Sequence, residues 1–590
     1  MSASPLVRHA TNAGFLLLLA YSAWQGRRGA EMLSSGLSFR LRESAREHGI
    51  EFRHRNVALD PKLDNIAVQI AGLGAAVSVV DVDADGWADI YATNSAFGAP
   101  NALYVNQHDG RFVDRAAQAG LADVNRPGEG ASMGSIWADY DNDGLPDCYL
   151  YKYGYAQLFH NDGQLHFTDV TQAAGLRRWM NTNGACWIDF DRDGLVDLYV
   201  TGYFREEVDL WHLQTTRIMQ DSFEFSKNGS HRHFYRNLGG GRFEDVTERL
   251  GLDSTRWALA VSAADMNGDG WPDLYVANDY GTEELFLNQQ GQRFVRAEKV
   301  GLDESSKSGM SVALGDIMND GTLGAFVTNI SKSGFLFQGN NLRLNRLAKG
   351  FGLANVSEGQ VEDCGWAWGS QFADLDNDGR QDLVVLNGFV SGNQKREEYW
   401  YDMTKLAAAA GALAEDAASW PAQQDRGLSG YERSRLLLNQ SVSTPERRQV
   451  KFTDVAAEAG MDDLYDGRAV ATADFFHKGK LDLVVANQQG PLLFYENRVD
   501  PARHWIQFEL QGTRSNRDAI GAELTLWFGG VCTVQAVLAG NGFCSQNDFV
   551  LHYGLGAHAA VEKAVIRWPS GAQQTIEAPA VDRRHSVREP

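Results

Sequence analysis

Short apolar runs, each closed by Gly, Asn or Asp, recur along most of the chain in a fixed order. A run of small and apolar residues, such as AAVSVVD (75–81) or ALAVSAAD (258–265), leads into an acidic loop. A second run follows the loop and ends at Asn, as in DIYATN (89–94), DLYVAN (273–278), DLVVLN (382–387) and DLVVAN (482–487). A third also ends at Asn: LYVN (103–106), LFHN (158–161), FYRN (234–237), LFLN (285–288) and LLLN (436–439). A Gly-x-Phe turn and a segment such as FTDVTQAAGL (167–176) or FEDVTERLGL (243–252) close the unit. Short runs bounded by turn formers predict strands. Four strands in about 50 residues predict one blade of a β-propeller per unit.

The loop between the first and second strands carries the candidate chemistry. Its pattern is D-x-D-x-D-G-x-x-D. Five copies are intact: Asp81, Asp83, Asp85, Asp89; Asp139, Asp141, Asp143, Asp147; Asp189, Asp191, Asp193, Asp197; Asp265, Asn267, Asp269, Asp273; and Asp374, Asp376, Asp378, Asp382. Two weaker copies, Asp316–Gly324 and Asp474–Asp482, make seven, at intervals of 58, 50, 76, 51, 58 and 100 residues. Carboxylates at positions 1, 3, 5 and 9 converge when the Gly at position 6 allows a sharp turn, and calcium takes about 6–8 oxygen ligands in such flexible cages. Turn chemistry alone explains an Asp and a Gly, not a fourth carboxylate at position 9. The intact loops are expected to hold about five Ca²⁺ ions and the weaker two none. In the seventh loop Phe476 and Lys478 stand at positions 3 and 5. The Lys478 ammonium is expected to take the place of the cation and neutralise Asp474 and Asp482.

These cassettes resemble FG-GAP/VCBS-type repeats, the propeller repeats also found in integrin α-chain heads, over residues 36–500. The cassette stops after Pro501. Residues 501–590 resemble the ASPIC/UnbV domain through the stretch Gly512–Ala522, through Tyr553-Gly554-Leu555-Gly556 and through Arg567-Trp568-Pro569-Ser570-Gly571. The combination is similar to the cartilage acidic protein 1-like family, bacterial type. No Cys follows Cys544, so the Cys-rich EGF-like module of animal members is not expected here. Within the second region, Asn516, Arg517 and Asp518 read as a polar turn locked by a salt bridge rather than as a ligand site. The expected fold is all-β: a seven-bladed β-propeller followed by a small β-rich C-terminal domain.

Strands alternate in direction, so connections between second and third strands emerge opposite the acidic loops. Both long intervals carry their inserts there, at 202–233 and 389–433, the latter with the helix-prone TKLAAAAGALAEDAA (404–418). The same face carries Phe97, Tyr153, Tyr155, Tyr203, Tyr280 and Phe389, a candidate surface for a protein or glycan ligand. The inserts either build that surface or cap the propeller's central channel.

Composition narrows the function. The chain has 54 Lys and Arg against 76 Asp and Glu, a net charge of −22, with no basic cluster, which excludes nucleic acid as a partner. The five intact loops alone hold 19 of the carboxylates, so the acidity is largely metal-site chemistry. Five cysteines are too few for a disulfide scaffold, and the turn at Gly540-Asn541-Gly542 does not set Cys532 opposite Cys544. Residues 13–24 form a 12-residue apolar run with small residues at Ala20 and Ser22. Residues 1–35 therefore read as a signal peptide or uncleaved anchor, the one expected membrane contact, and the protein as periplasmic, extracellular or cell-surface. Gly130-Ala131-Ser132-Met133-Gly134 spells G-x-S-x-G but lacks the strand-to-helix turn of a nucleophile elbow. The sequence favours an exported binding or adhesion protein. The alternative is an accessory factor or enzyme of secondary metabolism or polysaccharide processing.

Overall fold

Each apolar run forms a strand, and four successive strands form an antiparallel sheet. The computed structural model describes residues 36–303, 307–408, 411–444 and 447–590. The apolar run at 13–24, with its expected cleavage site, lies outside them. Among the described residues, seven such sheets begin at Ala76–Val80, Gly130–Ala138, Ala185–Ile188, Trp257–Ala264, Val312–Gly315, Ala367–Ala373 and Asp466–Ala473. Each first strand contacts those of the preceding and following sheets, and Asp466–Ala473 contacts Ala76–Val80. The seventh sheet takes its outer strand from the amino-terminal side: Phe39–Glu43 pairs antiparallel with Leu493–Val499. Small residues in the first strands have a steric cause. A Cβ on Gly369 would lie 2.1 Å from the Arg468 carbonyl oxygen of the next sheet.

The Asn that ends each third strand joins neighbouring sheets. Asn237 Nδ2 donates to Val196 O at 3.1 Å in its own loop and to Tyr140 O at 2.8 Å in the loop of the preceding sheet. The bond to the preceding sheet recurs all round: Asn106 to Phe475 O, Asn161 to Val82 O, Asn288 to Phe190 O, Asn345 to Met266 O, Asn439 to Ile317 O and Asn497 to Leu375 O. These amides are buried, so losing one strands carbonyls away from water. Asn237→Ala is expected to cost about 2–6 kcal/mol, from two unsatisfied carbonyls at about 1–3 kcal/mol each. Denaturant unfolding checks this, and a loss under about 0.5 kcal/mol, typical of neutral surface changes, contradicts it.

The C-terminal region forms two further sheets. One has the order Leu551–Gly556, His504–Gln511, Arg584–Arg588; the other Val531–Ala536, Glu523–Phe528, Lys563–Arg567, Gln573–Glu577. This region does not hang from a linker. It lies on the acidic-loop face and sends residues 537–547 between the first strands. There Ser545–Gln546 pairs in parallel with Val77 and Ser78. Trp187 N donates to Ala539 O at 2.9 Å, Gly542 N to Val312 O at 2.6 Å and Trp137 N to Gln546 Oε1 at 2.8 Å. Gln371 Nε2 donates to Asn541 O at 2.9 Å and Thr472 N to Asn547 Oδ1 at 3.0 Å. First strands are sheet edges with unpaired backbone groups; the inserted segment satisfies some of them on five of the seven sheets and bonds the Gln371 side chain on a sixth.

The two inserts meet on the opposite face. Met219 N donates to Glu415 O at 3.0 Å and Ala417 N to Thr216 O at 2.8 Å. The helix-prone stretch forms helices Trp400–Ala408 and Ala412–Glu415, the second preceded by Gly411, whose φ is 79°. Ser132 of the G-x-S-x-G spelling lies fully buried inside strand Gly130–Ala138. All five cysteines are free. Cys544 Sγ lies 3.2 Å from Asn183 O within the enclosed space, and Cys532 lies beside Gly321.

Candidate metal centres and the opposite face

All seven loops share one backbone, including the two that lost carboxylates. Position 6 is Gly with φ between 67° (Gly479) and 103° (Gly144), as the sharp turn requires. Position 4 is also left-handed, at Ala84, Asn142, Arg192, Gly268, Asn319, Asn377 and His477, a second constraint the sequence pattern hides. The position-1 carboxylate holds the turn: Asp81 accepts from Asp85 N at 3.0 Å and Gly86 N at 2.8 Å, and Asp374 from Asp378 N at 3.0 Å and Gly379 N at 2.8 Å. The position-9 carboxylate joins strands. Asp197 accepts from Phe190 N at 3.3 Å and from Asn237 N at 2.8 Å, and Asp89, Asp147, Asp273 and Asp382 repeat both bonds. Position 9 is therefore structural as well as a candidate ligand.

Four of the five intact loops gather three carboxylates whose oxygens lie within 4.8 Å of one another: Asp81, Asp83, Asp85; Asp139, Asp141, Asp147; Asp189, Asp191, Asp197; and Asp374, Asp376, Asp382. Asp141 and Asp143 form a further group with His160, which the sequence pattern did not single out. Asp83 Oδ1 and Asp191 Oδ1 are buried with no hydrogen-bond partner. Burial, reinforced by neighbouring carboxylates, pushes Asp81, Asp139 and Asp189 up to about 7 and Asp147 up to about 9. Clustered, desolvated carboxylates with spare lone pairs fit a hard divalent cation. Other position-5 carboxylates turn to basic side chains: Asp193 to Arg236 at 3.1 Å and Asp378 to Arg380. Asp265, Asp269 and Asp273 do not form such a cluster. Arg567 of the C-terminal region reaches Asp265 at 2.5 Å, and Asn267 Nδ2 donates to Asp269 at 3.0 Å.

The C-terminal region touches every loop. Arg584 donates to Gly86 O at 3.3 Å, the Arg514 carbonyl packs on Gly194, and Gly554 N donates to Asp374 Oδ2 at 3.0 Å. Asp518 accepts from Asp139 N at 2.7 Å and Arg517 N donates to Asn142 Oδ1 at 2.8 Å. The Asn516–Asp518 run is thus a contact to the second loop rather than a self-contained turn. In the fifth loop Asp316 accepts from Val534 N at 3.2 Å, and in the seventh Asp474 accepts from Gln507 Nε2 at 3.1 Å. The seventh loop corrects the expectation for Lys478. That side chain is exposed, with Nζ 5.0 Å from the Phe476 ring centroid. Lys480, at position 7, supplies the ammonium instead, 3.2 Å from the fully buried Asp482. Removing one partner of a buried pair leaves an uncompensated charge. Lys480→Ala is expected to cost about 3 kcal/mol and Lys478→Ala less than about 0.5 kcal/mol. Equal melting temperatures for the two variants would contradict this.

On the opposite face the six candidate aromatic residues divide. Tyr153, Tyr203 and Phe389 are buried: Tyr203 and Phe389 belong to the inserts themselves, and Phe204 of the first insert packs on Tyr153. Tyr203 and Phe389, with half-buried Tyr280, line one cavity of about 370 Å³ roofed by Trp400 and Met403 of one insert and Met219 and Phe223 of the other. Tyr153 packs edge-on against Phe204 at 5.7 Å and donates to Asn183 Oδ1 at 2.7 Å. Phe97 and Tyr155 belong to a separate row: Phe97 lies 5.1 Å from Trp211, Trp211 6.2 Å from Trp179 and Trp179 5.2 Å from Tyr155.

Comparison with known proteins agrees with this organisation. The family described as FG-GAP-like repeat matches residues 81–150, 139–200, 225–276 and 265–327, and the family described as ASPIC and UnbV matches 512–590. Cartilage acidic protein 1 of Xenopus tropicalis is 29% identical over 174 residues, covering 28% of this chain and 26% of that protein. The Homo sapiens protein of the same name is 32% identical over 102 residues, covering 16% of this chain and 14% of that one. The chain thus spans about a quarter or less of the relatives' length. Among solved structures, an Agrocybe aegerita lectin that recognises non-reducing terminal N-acetylglucosamine is 17% identical, covering 54% of this chain and 76% of its own at a TM-score of 0.35. The V. cholerae biofilm matrix protein Bap1 is 10% identical, covering 93% and 85% at a TM-score of 0.30. Scores this low carry nothing about ligands. With its acidic-loop repeats and its C-terminal region both matched, the chain is an FG-GAP-repeat protein with a C-terminal ASPIC and UnbV domain, similar over part of its length to cartilage acidic protein 1.

Proposed function

We propose that this protein is an exported, calcium-stabilised binding protein, a closed seven-bladed β-propeller whose C-terminal domain seals the calcium face and leaves the insert-bearing face for a protein or glycan ligand. One observation carries the reading: the C-terminal domain touches all seven loops and fills the space between the first strands, while the cavity under the inserts stays open and is walled by aromatic side chains. The cyclic contact of first strands and the ring of Asn bonds support closure. The calcium assignment rests on the clustered carboxylates. Five sites of unequal strength follow, with the loop at 265–273 weakest because calcium there competes with Arg567 for Asp265. No helix of the described residues is long and apolar enough to cross a membrane. Export rests on the apolar run at 13–24, and mass spectrometry of the native amino terminus tests it.

Binding is tested by glycan arrays and pull-down with the calcium-loaded full chain and with Met403→Trp, which crowds the cavity. A ligand retained by the parent and lost by the variant is expected. A ligand indifferent to the variant, or lost on changing Phe97 or Trp211 instead, places binding elsewhere.

A further inference from the structure

We propose that the cavity under the inserts takes a compact, mainly apolar ring compound bearing hydrogen-bond acceptors. This rests on the binding reading above and narrows its ligand. The volume, about 370 Å³, lies within the range of about 300–1,000 Å³ usual for small-molecule sites. Its walls are flat and aromatic, from Tyr203, Tyr280, Trp366, Trp368, Phe389 and Trp400.

The polar groups among these walls are mostly committed to one another. Asp279 accepts from Tyr203 OH at 2.9 Å and from Tyr280 N at 3.0 Å. Gln69 donates to Gln423 at 2.8 Å, and Gln338 Oε1 accepts from Ser308 N at 3.0 Å. A sugar chain, with a hydroxyl on nearly every carbon, would lose more hydrogen bonds to water than it could remake here.

Two donors stand out against that background. Trp366 and Trp368 are 4% and 2% exposed, and neither indole Nε1–H has a hydrogen-bond partner. A buried Trp N–H ordinarily finds an acceptor. Both rings line the cavity, and both Nε1–H groups lie just beneath its surface, so a ligand oxygen that reaches one as the ring edge turns would answer an unmet bond in an otherwise apolar space. The wall is also held in place before any ligand arrives. The Arg468 guanidinium lies 4.4 Å from the Trp368 ring centroid and donates to Gly72 O at 2.8 Å and Phe389 O at 2.7 Å. On its inner side Trp368 packs against Phe543 of the inserted segment at 5.4 Å. Preorganised aromatic walls reduce the ordering cost of binding.

Coumarin, flat and carbonyl-bearing, is the probe; naphthalene, flat and without an acceptor, and N,N′-diacetylchitobiose are its comparators. Calorimetric titration of the calcium-loaded full chain should show one coumarin per chain, with a Kd on the order of tens of micromolar. Naphthalene should bind about fivefold more weakly, the worth of one hydrogen bond, and chitobiose not at all. Trp366→Phe or Trp368→Phe should erase the preference for coumarin over naphthalene while the melting temperature and naphthalene binding persist. Met403→Trp should abolish both. Absent coumarin binding, binding that survives Met403→Trp, or preference for chitobiose overturns the inference. If array or pull-down finds a ligand lost in Met403→Trp while coumarin fails, the binding reading stands and this inference falls. If neither finds a ligand, both fall.

Discussion

Chelating calcium from the full chain is expected to lower its melting temperature by on the order of 10 °C or more. A ligand at 100 times its Kd adds about 2.7 kcal/mol per site, so four well-formed sites add about 11 kcal/mol, comparable to the whole stability of an ordinary domain at about 5–15 kcal/mol. The effect should depend on pH in a defined direction. Without a cation, burial pushes Asp81, Asp139 and Asp189 up to about 7 and Asp147 up to about 9, from an ordinary value of 3.8. A carboxyl whose folded value is raised binds protons more tightly folded than unfolded, so its contribution is present in acid and lost as pH rises. Chelated protein should therefore be more stable near pH 5 than near pH 8, with most of the loss between about pH 4 and 7. Calcium replaces those protons, so the loaded protein should not show that fall. A melting temperature unmoved by chelator at pH 8 contradicts the metal assignment.

Phe543→Ala is expected to cost about 3–5 kcal/mol, as for other fully buried aromatic side chains. Phe543 is fully buried and packs against Trp368 from inside the ring of first strands. The segment around it supplies acceptors to Trp137 N, Trp187 N and Thr472 N on three different sheets. A cavity there both removes contacts and loosens those bonds. The domain on the loop face should loosen with it, seen as faster proteolysis between Val499 and His504, where the chain crosses from the seventh sheet. A change of less than about 1 kcal/mol, with unaltered proteolysis, would show that the inserted segment is only an ornament on a self-sufficient ring.

Much of this was legible in the sequence because repetition makes weak signals strong. One D-x-D-x-D-G-x-x-D loop is an acidic turn; seven copies at blade-sized intervals fix the order of strands, the turn at position 6 and the face on which the inserts emerge. The same repetition concealed other roles. The terminal Asn of LYVN or FYRN reads as a turn former, yet its amide reaches a carbonyl of the preceding sheet, a partner about 80 residues away in the case of Asn161 and Val82. Position 9 reads as a cation ligand, yet its first task is to hold two backbone N–H groups. Lys478 was chosen by its place in the pattern, but at position 5 the side chain points to solvent, and Lys480 has the reach to Asp482. The inserted segment AVLAGNGFCSQND (536–548) has no periodicity to betray it, because its hydrogen bonds are shared among six different first strands rather than made to one. The buried state of Tyr153, Tyr203 and Phe389 depends on how two inserts distant in sequence, the latter two residues among them, fold together, which no local pattern records.

The most direct test is anomalous scattering from calcium in crystals of the full chain. Strong peaks are expected in the loops at 81–89, 139–147, 189–197 and 374–382, and a weaker one at 265–273 that strengthens in Arg567→Ala. No peak should lie at 316–324, or at 474–482 beside Lys480. Empty loops throughout, or a calcium ion seated next to Lys480 and Asp482, would contradict the account.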